Sequence, residues 1–419
     1  MVEIIYIFLL FENIVAKYFL FFSYWDELIT LVFLICLVFG IMKSRKLRIG
    51  ILGKAGLCFV FVLFIGFVST FVNGDLQDSP VAKLKDVLAI SKLFVVFVGA
   101  SKFYKKKKAT AIVERCARVT RYIVIIISIC AILDYTVGIG MHRGVRYIPL
   151  FIFLFSHATY AVASYIFMMT ILITESVNKN KWYLCACSIL IILTMRSKGI
   201  ICVAIIWLLL FNRRYNLINW AYEKASGIKI KWKYIIVVAL GVLWLLRDKI
   251  STYLSWGLRA ARTGLYLVGF EIVRDYFPLG TGFGTFASFI SGEYYSDIYY
   301  LYNMQNISGM TETNYNYISD VFWPYIYGEY GLFGFIAYTA MLLLLFKYCL
   351  KGLNAKTNVA YSIILIWLYS IVASFAEAFY TNSSVVQFAL LIPLLLKFRD
   401  EKMCSNDTSQ GKRLTVKGD

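Results

Sequence analysis

LITLVFLICLVFGIM (residues 28–42) followed by KSRKLR (residues 43–48) decides the fold class. Fifteen residues without a charge come before six residues that carry four cations. A helix needs roughly 17–25 residues to cross ~30 Å of hydrocarbon, and the acidic turn before residue 28 sets this run apart as one such unit. A basic cluster at the end of a span marks its cytoplasmic side. The run shows no period-2 alternation, so it reads as helix; closed barrels, the other structure that satisfies its own backbone in lipid, need that alternation.

The pattern recurs along the chain. The 419 residues are 60% hydrophobic and 16% charged, with a mean hydropathy of +0.71. Apolar runs lie at 4–22, 28–42, within 49–72, 87–101, 119–140, within 148–174, 182–195, 199–211, 234–246, 325–346, 358–376 and 385–396. The expected fold class is an all-α polytopic membrane protein of twelve transmembrane helices with one long external loop, 247–324. Residues 1–396 form a single transmembrane domain in this reading, and 397–419 a polar, disordered cytoplasmic tail. The first run lacks a basic leader and a small-residue cleavage site, so it reads as a span. A weak point is 182–211, which as one tilted span would invert everything downstream; a hairpin turning at 196–198 keeps both flanking basic loops on one side.

The formal charge of +19 could suggest nucleic acid, but its placement argues for a membrane. The loops on the side of the termini carry 28 Lys/Arg, and those on the side of the long loop carry 11. Basic loops stay inside, so both termini are expected in the cytoplasm and 247–324 outside. The long loop holds five Lys/Arg against seven Asp/Glu, which is no basic stripe, and no nucleic-acid partner is expected. The nine cysteines fall in spans or basic loops and outline neither a disulfide framework nor a metal site.

Several constellations carry chemistry. Arg196-Ser197-Lys198-Gly199 is a tight turn between two apolar runs; its cations either snorkel to lipid headgroups or hold a lipid phosphate. Arg259 and Arg262 are three apart and share a helix face. Arg262 has no close carboxylate in sequence, which leaves it for an anionic ligand. Arg274 beside Asp275 reads as a local ion pair or as part of the same anion site. Gly280, Gly282 and Gly284 let the backbone approach something closely, either a substrate or another segment in a tight re-entrant turn. Asp320, just before the tenth run, is either a residue favoured at a helix N-terminus or a partly desolvated general base. Glu312, eight residues earlier, is the other carboxylate in place for that role. Tyr294, Tyr295, Tyr299, Tyr300 and Tyr302 suit an interfacial belt or a stack on sugar faces. Glu12, Lys17, Lys54, Lys92, Arg121, Asp134 and Glu377 lie in or at the ends of runs, as in transporters.

Taken together these stretches resemble the O-antigen polymerase/ligase superfamily of membrane glycosyltransferases. The block from Arg262-Thr263-Gly264-Leu265-Tyr266 to Arg274-Asp275-Tyr276-Phe277-Pro278-Leu279-Gly280-Thr281-Gly282-Phe283-Gly284-Thr285-Phe286 looks like the family's arginine, aromatic and D-x-x-P-L-x-G-x-G-x-G-x-F pattern. Glu329-Tyr330-Gly331-Leu332-Phe333-Gly334 looks like its E-x-G-L-x-G, and Arg196-Ser197-Lys198-Gly199 is similar to its basic turn. Many members carry His-Asn where this chain has Asp320-Val321, which favours the polymerase branch over the ligase branch. The resemblance implies a class-C-like glycosyltransferase with an outward-facing cavity in the bacterial cytoplasmic membrane. It implies undecaprenyl-diphosphate-linked oligosaccharides as substrates, membrane lipids around them, and a chain-length regulator and a flippase as further partners. No metal or cofactor is expected. Arg262, Arg196, Lys198, Arg259 and Arg274 would hold the diphosphate, and Asp320 or Glu312 would take the acceptor proton. A flippase or transporter, a ligase of the same superfamily, and a membrane scaffold are the competing readings.

Overall fold

The structure, a computed structural model, describes residues 2–43, 50–105, 108–145, 148–215, 260–353 and 357–415. The expected ninth span, 234–246, lies outside the described residues, as do Arg146, Arg247 and Arg259. The described chain is mostly helical: α1 Val2–Tyr18, α2 Trp25–Lys43, α3 Ile51–Val72, α4 Pro80–Phe103, α5 Ala109–Thr136, α6 Ala158–Glu175, α7 Val177–Leu193 and α8 Ser197–Tyr215. Beyond the undescribed stretch follow α9 Ala261–Asp275, two short helices, α10 Phe289–Glu293 and α11 Ile298–Leu301, and then α12 Trp323–Leu350, α13 Asn358–Ser374 and α14 Ser383–Thr415. Among the described residues, five helices are long and apolar enough to cross a membrane: α2 with the turn before it, α3, α5, α6 and α12; α8 and α13 are apolar but shorter. The chain is thus a helical membrane protein by the length and composition of these elements.

Three of the departures from expectation are places where a polar group found a partner. A two-stranded antiparallel sheet, β1 His142–Val145 with β2 Pro149–Phe151, stands where a small loop is expected, so the fold is not wholly α. Asp134 at the end of α5 holds it, accepting from Met141 N at 2.7 Å and facing His142 Nδ1 at 3.1 Å. Helix α5 starts ten residues before its apolar run, with Thr110 N donating to Glu401 Oε2 at 2.8 Å. Helix α14 continues to Thr415, through the segment expected as a disordered tail. Arg399 Nη1 on that extension donates to the Lys351 carbonyl at 2.8 Å and so caps the C-terminal end of α12. Between α7 and α8 the helix breaks at residues 194–196, with Met195 at φ 51°, so 182–211 is two helices and not one tilted span.

The glycine turn locks the middle of the molecule. Helix α12 lies along α3 and is interrupted at Gly331, whose backbone sits at φ 60°, ψ −164°. The break takes the carbonyls of Gly328 and Glu329 out of regular helical bonding. Thr281 N and Gly282 N donate to them at 3.0 and 2.9 Å. The Glu329 carboxylate accepts from Gly284 N at 3.2 Å and from Phe286 N at 2.8 Å. From the other side, Ser69 Oγ and Asn73 Nδ2 donate to the Gly280 carbonyl at 2.5 and 3.0 Å, and Phe283 N donates to Thr70 Oγ1 at 2.9 Å. Every exposed backbone group of an irregular segment must find such a partner at membrane depth.

A Cβ on Gly331 would sit 2.3 Å from the Pro278 carbonyl oxygen, in a backbone region reserved for glycine. Gly331→Ala is expected to cost about 3 kcal/mol or more. Gly352→Ala, where φ is +71° but the nearest atom is 3.9 Å away, should cost only about 1–2 kcal/mol. Thermal unfolding of the purified variants checks this, and equal losses would remove the lock from the account.

Candidate functional site

Two helix starts bring cations together. Lys198 is in the first turn of α8, just after Arg196, and Arg262 is in the first turn of α9. A cation there opposes the helix dipole by about 0.3–1 kcal/mol, so helix stability does not select this placement. Carboxylates offset it. Arg262 Nη2 donates to Asp320 Oδ2 at 2.9 Å and to the Ala376 carbonyl at 3.4 Å. Lys198 Nζ is ion-paired with Glu377, in the 375–382 segment between α13 and α14; their side chains are 9% and 10% exposed. Lys198 Nζ also reaches Thr159 Oγ1 at 3.5 Å and lies 5.9 Å over the Tyr369 ring. Arg196 Nη2 meets His157 Nε2 at 2.9 Å.

These groups share one electrostatic neighbourhood. Arg262, Arg196 and Lys198 all act on Asp320, and Arg196 and Arg262 act on Lys198. Burial pushes the Asp320 carboxyl above its ordinary value even against those three cations. Burial and the charges of Arg196, Lys198 and Arg143 hold His157 down at about 4, so it is neutral at physiological pH. Both ring nitrogens face donors, Nε2 the Arg196 guanidinium and Nδ1 the Thr159 N–H at 3.3 Å, and a neutral imidazole, which keeps a proton on one of them, accepts from only one at a time. Arg262 Nε and Glu377 Oε1 are among the buried atoms that have no hydrogen-bond partner among the described residues. The arrangement is three cations against two carboxylates, with one guanidinium donor unused. Chemically it suits an anion with several oxygens, with Asp320 at hand as a proton acceptor.

Packing places the pieces. Phe322 N donates to the Ser374 carbonyl at 3.1 Å and Trp323 Nε1 to Ser374 Oγ at 3.1 Å, which docks the Asp320 segment on the end of α13. Tyr266, one turn after Arg262, donates its hydroxyl to the Phe375 carbonyl at 3.2 Å. The start of α9 is thereby pinned to the same stretch that carries Glu377.

Four of the residues expected from sequence therefore meet: Arg196, Lys198, Arg262 and Asp320. The others do not join them. Glu312 is exposed and accepts from the Tyr300 hydroxyl at 3.1 Å. Arg274 is exposed and paired with Asp275 at 2.9 Å, while Asp275 also accepts from the Tyr302 hydroxyl at 2.8 Å. Arg259 lies outside the described residues. Gly280, Gly282 and Gly284 are buried with φ of 82°, 94° and 70°, and what they approach is α3, α4 and α12, not a substrate. Of the two readings of the turn, the structure shows the close approach to another segment of the chain. Glu377 and His157 were not singled out as site residues. Glu377 had a signal as an ionisable group at the end of an apolar run; His157 had only its rarity, as one of two histidines. Among the described residues no group of three or more His, Cys, Asp or Glu is placed to hold a metal ion.

Comparison of the chain with models of known protein families finds no match, and comparison with curated proteins finds none either. The family resemblance accordingly rests on the motifs themselves.

The Asp320 shift has a consequence for stability. A carboxyl whose folded value is raised stabilises the fold below its unfolded value, and that contribution is lost as pH rises through the folded value. Above its folded value the ionised Asp320 thus opposes folding. Asp320→Asn should melt at least as high as the unaltered protein at pH 7.5, and its advantage should shrink as pH falls to 4. A clear loss of melting temperature at pH 7.5 would show that Asp320 is kept for its ion pair alone.

Proposed function

We propose that the protein is a metal-independent polymerase that joins undecaprenyl-diphosphate-linked oligosaccharide repeats into a surface polysaccharide on the outer face of the bacterial cytoplasmic membrane. The observation that carries the reading is the Arg262–Asp320 ion pair set beside the Lys198–Glu377 pair through the Ala376 carbonyl, with Arg262 Nε unpartnered among the described residues. The reading includes twelve spans and cytoplasmic termini, and adds a chain-length regulator and a flippase as partners.

In this mechanism the donor diphosphate takes Arg262 from Asp320 and engages Arg196 and Lys198 beside it. A guanidinium grips phosphate oxygens in pairs, and fixed cations in a partly dry site stabilise the charge that develops on the leaving group. Losing its nearest cation makes Asp320 more basic at the moment when the base is needed. The acceptor hydroxyl gives its proton to Asp320 as its oxygen bonds the anomeric carbon. The bond from that carbon to the phosphate oxygen breaks, and the diphosphate leaves on the lipid.

One feature favours a second reading, a flippase or ion-coupled transporter. Lys92 on α4 is buried and paired with Asp26 at 2.7 Å and Glu27 at 2.8 Å on α2. Glu12 on α1 is buried too, accepting from Trp25 Nε1 and, at 2.6 Å, from Ser383 Oγ. Ionisable groups inside a helix bundle commonly mark transport pathways. A strain lacking the protein separates the two: exported single repeats without long chains mean polymerase, and no exported repeats mean flippase.

With purified lipid-linked repeats, Arg262→Ala should lower polymer formation at least about 100-fold while insertion stays normal. Arg262→Lys should keep residual activity, since the charge remains but the fork is lost. Asp320→Asn should fall by about 100-fold or more, and a chelator should change nothing. Near-normal turnover in Asp320→Asn removes it as the base. For topology, single cysteines replacing exposed Thr313 and Lys105 in a cysteine-free background should be labelled by an impermeant thiol reagent from opposite sides, Thr313 from outside. Labelling from one side overturns the orientation.

A further inference from the structure

A second cleft, of about 210 Å³, opens between the 76–79 segment joining α3 to α4 and the 294–297 segment joining α10 to α11. Its chemistry is opposite to that of the arginine cluster. The lining includes Asp78, Asp297, Tyr294 and Tyr295, with Gln77 and Ser79 behind them. The carboxylates of Asp78 and Asp297 are exposed and make no hydrogen bond or ion pair with a described residue. The walls are rigid. Gln77, 4% exposed, donates to the carbonyls of Gly284 at 2.8 Å and Tyr294 at 3.0 Å, and Asp297 N and Ser296 Oγ both donate to the Leu76 carbonyl, at 3.2 and 2.8 Å. Tyr295 is held by the Tyr299 and Tyr300 rings at 5.2 and 5.3 Å and by its hydroxyl on the Met310 carbonyl at 2.7 Å. Lys85 Nζ lies 4.8 Å over the Tyr294 ring and is itself paired with Glu293 at 2.9 Å.

We propose that this cleft between Asp78, Asp297 and the rings of Tyr294 and Tyr295 binds a neutral or amino hexose residue of a glycan. A pyranose offers a C–H face and a rim of hydroxyls. Fixed tyrosine rings take the face, and unpaired carboxylates accept from the hydroxyls with charge-assisted bonds. Because rings and backbone are already held, little conformational entropy is lost on binding. Two carboxylates are too few donors for a dedicated cation cage, and their charge repels an anion. Glu293 neutralises Lys85, so the two carboxylates set the charge of the cleft and disfavour a uronic acid or a phosphate relative to a neutral sugar. This deepens the polymerase reading, and rests on it only in naming the glycan as the one being handled: the lipid diphosphate lies at the arginines and a sugar of the same or the growing chain lies in the acidic cleft.

The test is saturation-transfer NMR on the purified full-length protein in nanodiscs, free of sugar-headed detergent. The probes are methyl glycosides of neutral, N-acetylated and amino hexoses, with glucuronic acid as the anionic counterpart. At least one neutral or amino hexoside should give transfer, and any transfer from glucuronic acid, which the arginine cluster can hold, should be unaffected by variants of the acidic cleft. The hexoside signal should fall at least fivefold in Tyr294→Ala and in Asp78→Ala/Asp297→Ala, and survive in Tyr294→Phe, with the melting temperature of Asp78→Ala/Asp297→Ala unchanged because both carboxylates are exposed. No transfer from any hexoside, hexoside transfer indifferent to these variants, or glucuronic acid transfer that falls in the same variants overturns the proposal. Binding is read without turnover: a protein that binds the hexoside but makes no polymer keeps the cleft and sinks the polymerase reading.

Discussion

The break of α12 at Gly331 is the constraint on which the rest depends. A helix crossing lipid normally keeps all its backbone bonds to itself. Here α12 releases two carbonyls and spends them, with the Glu329 carboxylate, on the backbone N–H groups of residues 281–286. That bond set fixes where the glycine turn sits, and Ser69, Thr70 and Asn73 tie the same turn to α3. Position then passes outward along the chain. The turn sets the C-terminal end of α9, and so sets where Arg262 begins it. The Tyr327 hydroxyl, donating to the Tyr266 carbonyl at 3.2 Å, holds α9 to α12 a second time.

The site itself works against the preferences of its parts. Cations stand at helix starts, a carboxylate is partly buried, and an arginine donor is left unused. Each of these costs free energy in isolation. Rigid neighbours hold them in place: α13 docks the Asp320 segment, and the 375–382 segment supplies both Glu377 and the Ala376 carbonyl. Local unfavourable choices supported by well-packed surroundings are what a binding or catalytic site looks like, and what a purely structural ion-pair cluster does not need.

The ion pairs deeper in the bundle have another character. Lys92 with Asp26 is almost fully enclosed, so desolvation cancels much of its Coulomb attraction. Removing one partner would strand the other in an apolar surrounding. The pairs lie where α2 and α4 face each other.

What the sequence determined by itself was the helical membrane character and the boundaries of most apolar elements, because a run of uncharged residues long enough to span lipid has no other stable form there. It also marked Arg196, Lys198, Arg262 and Asp320, since charges beside apolar runs are costly and stand out. Tertiary structure decided how they are grouped. Arg262 and Asp320 are 58 residues apart and Lys198 and Glu377 are 179 apart, and no local pattern encodes such pairings. The glycines show the same limit. Positive φ at Gly280, Gly282 and Gly284 signals a close approach of backbone, but whether to a substrate or to another helix depends on what packs there, and what packs there is α12, opened at Gly331.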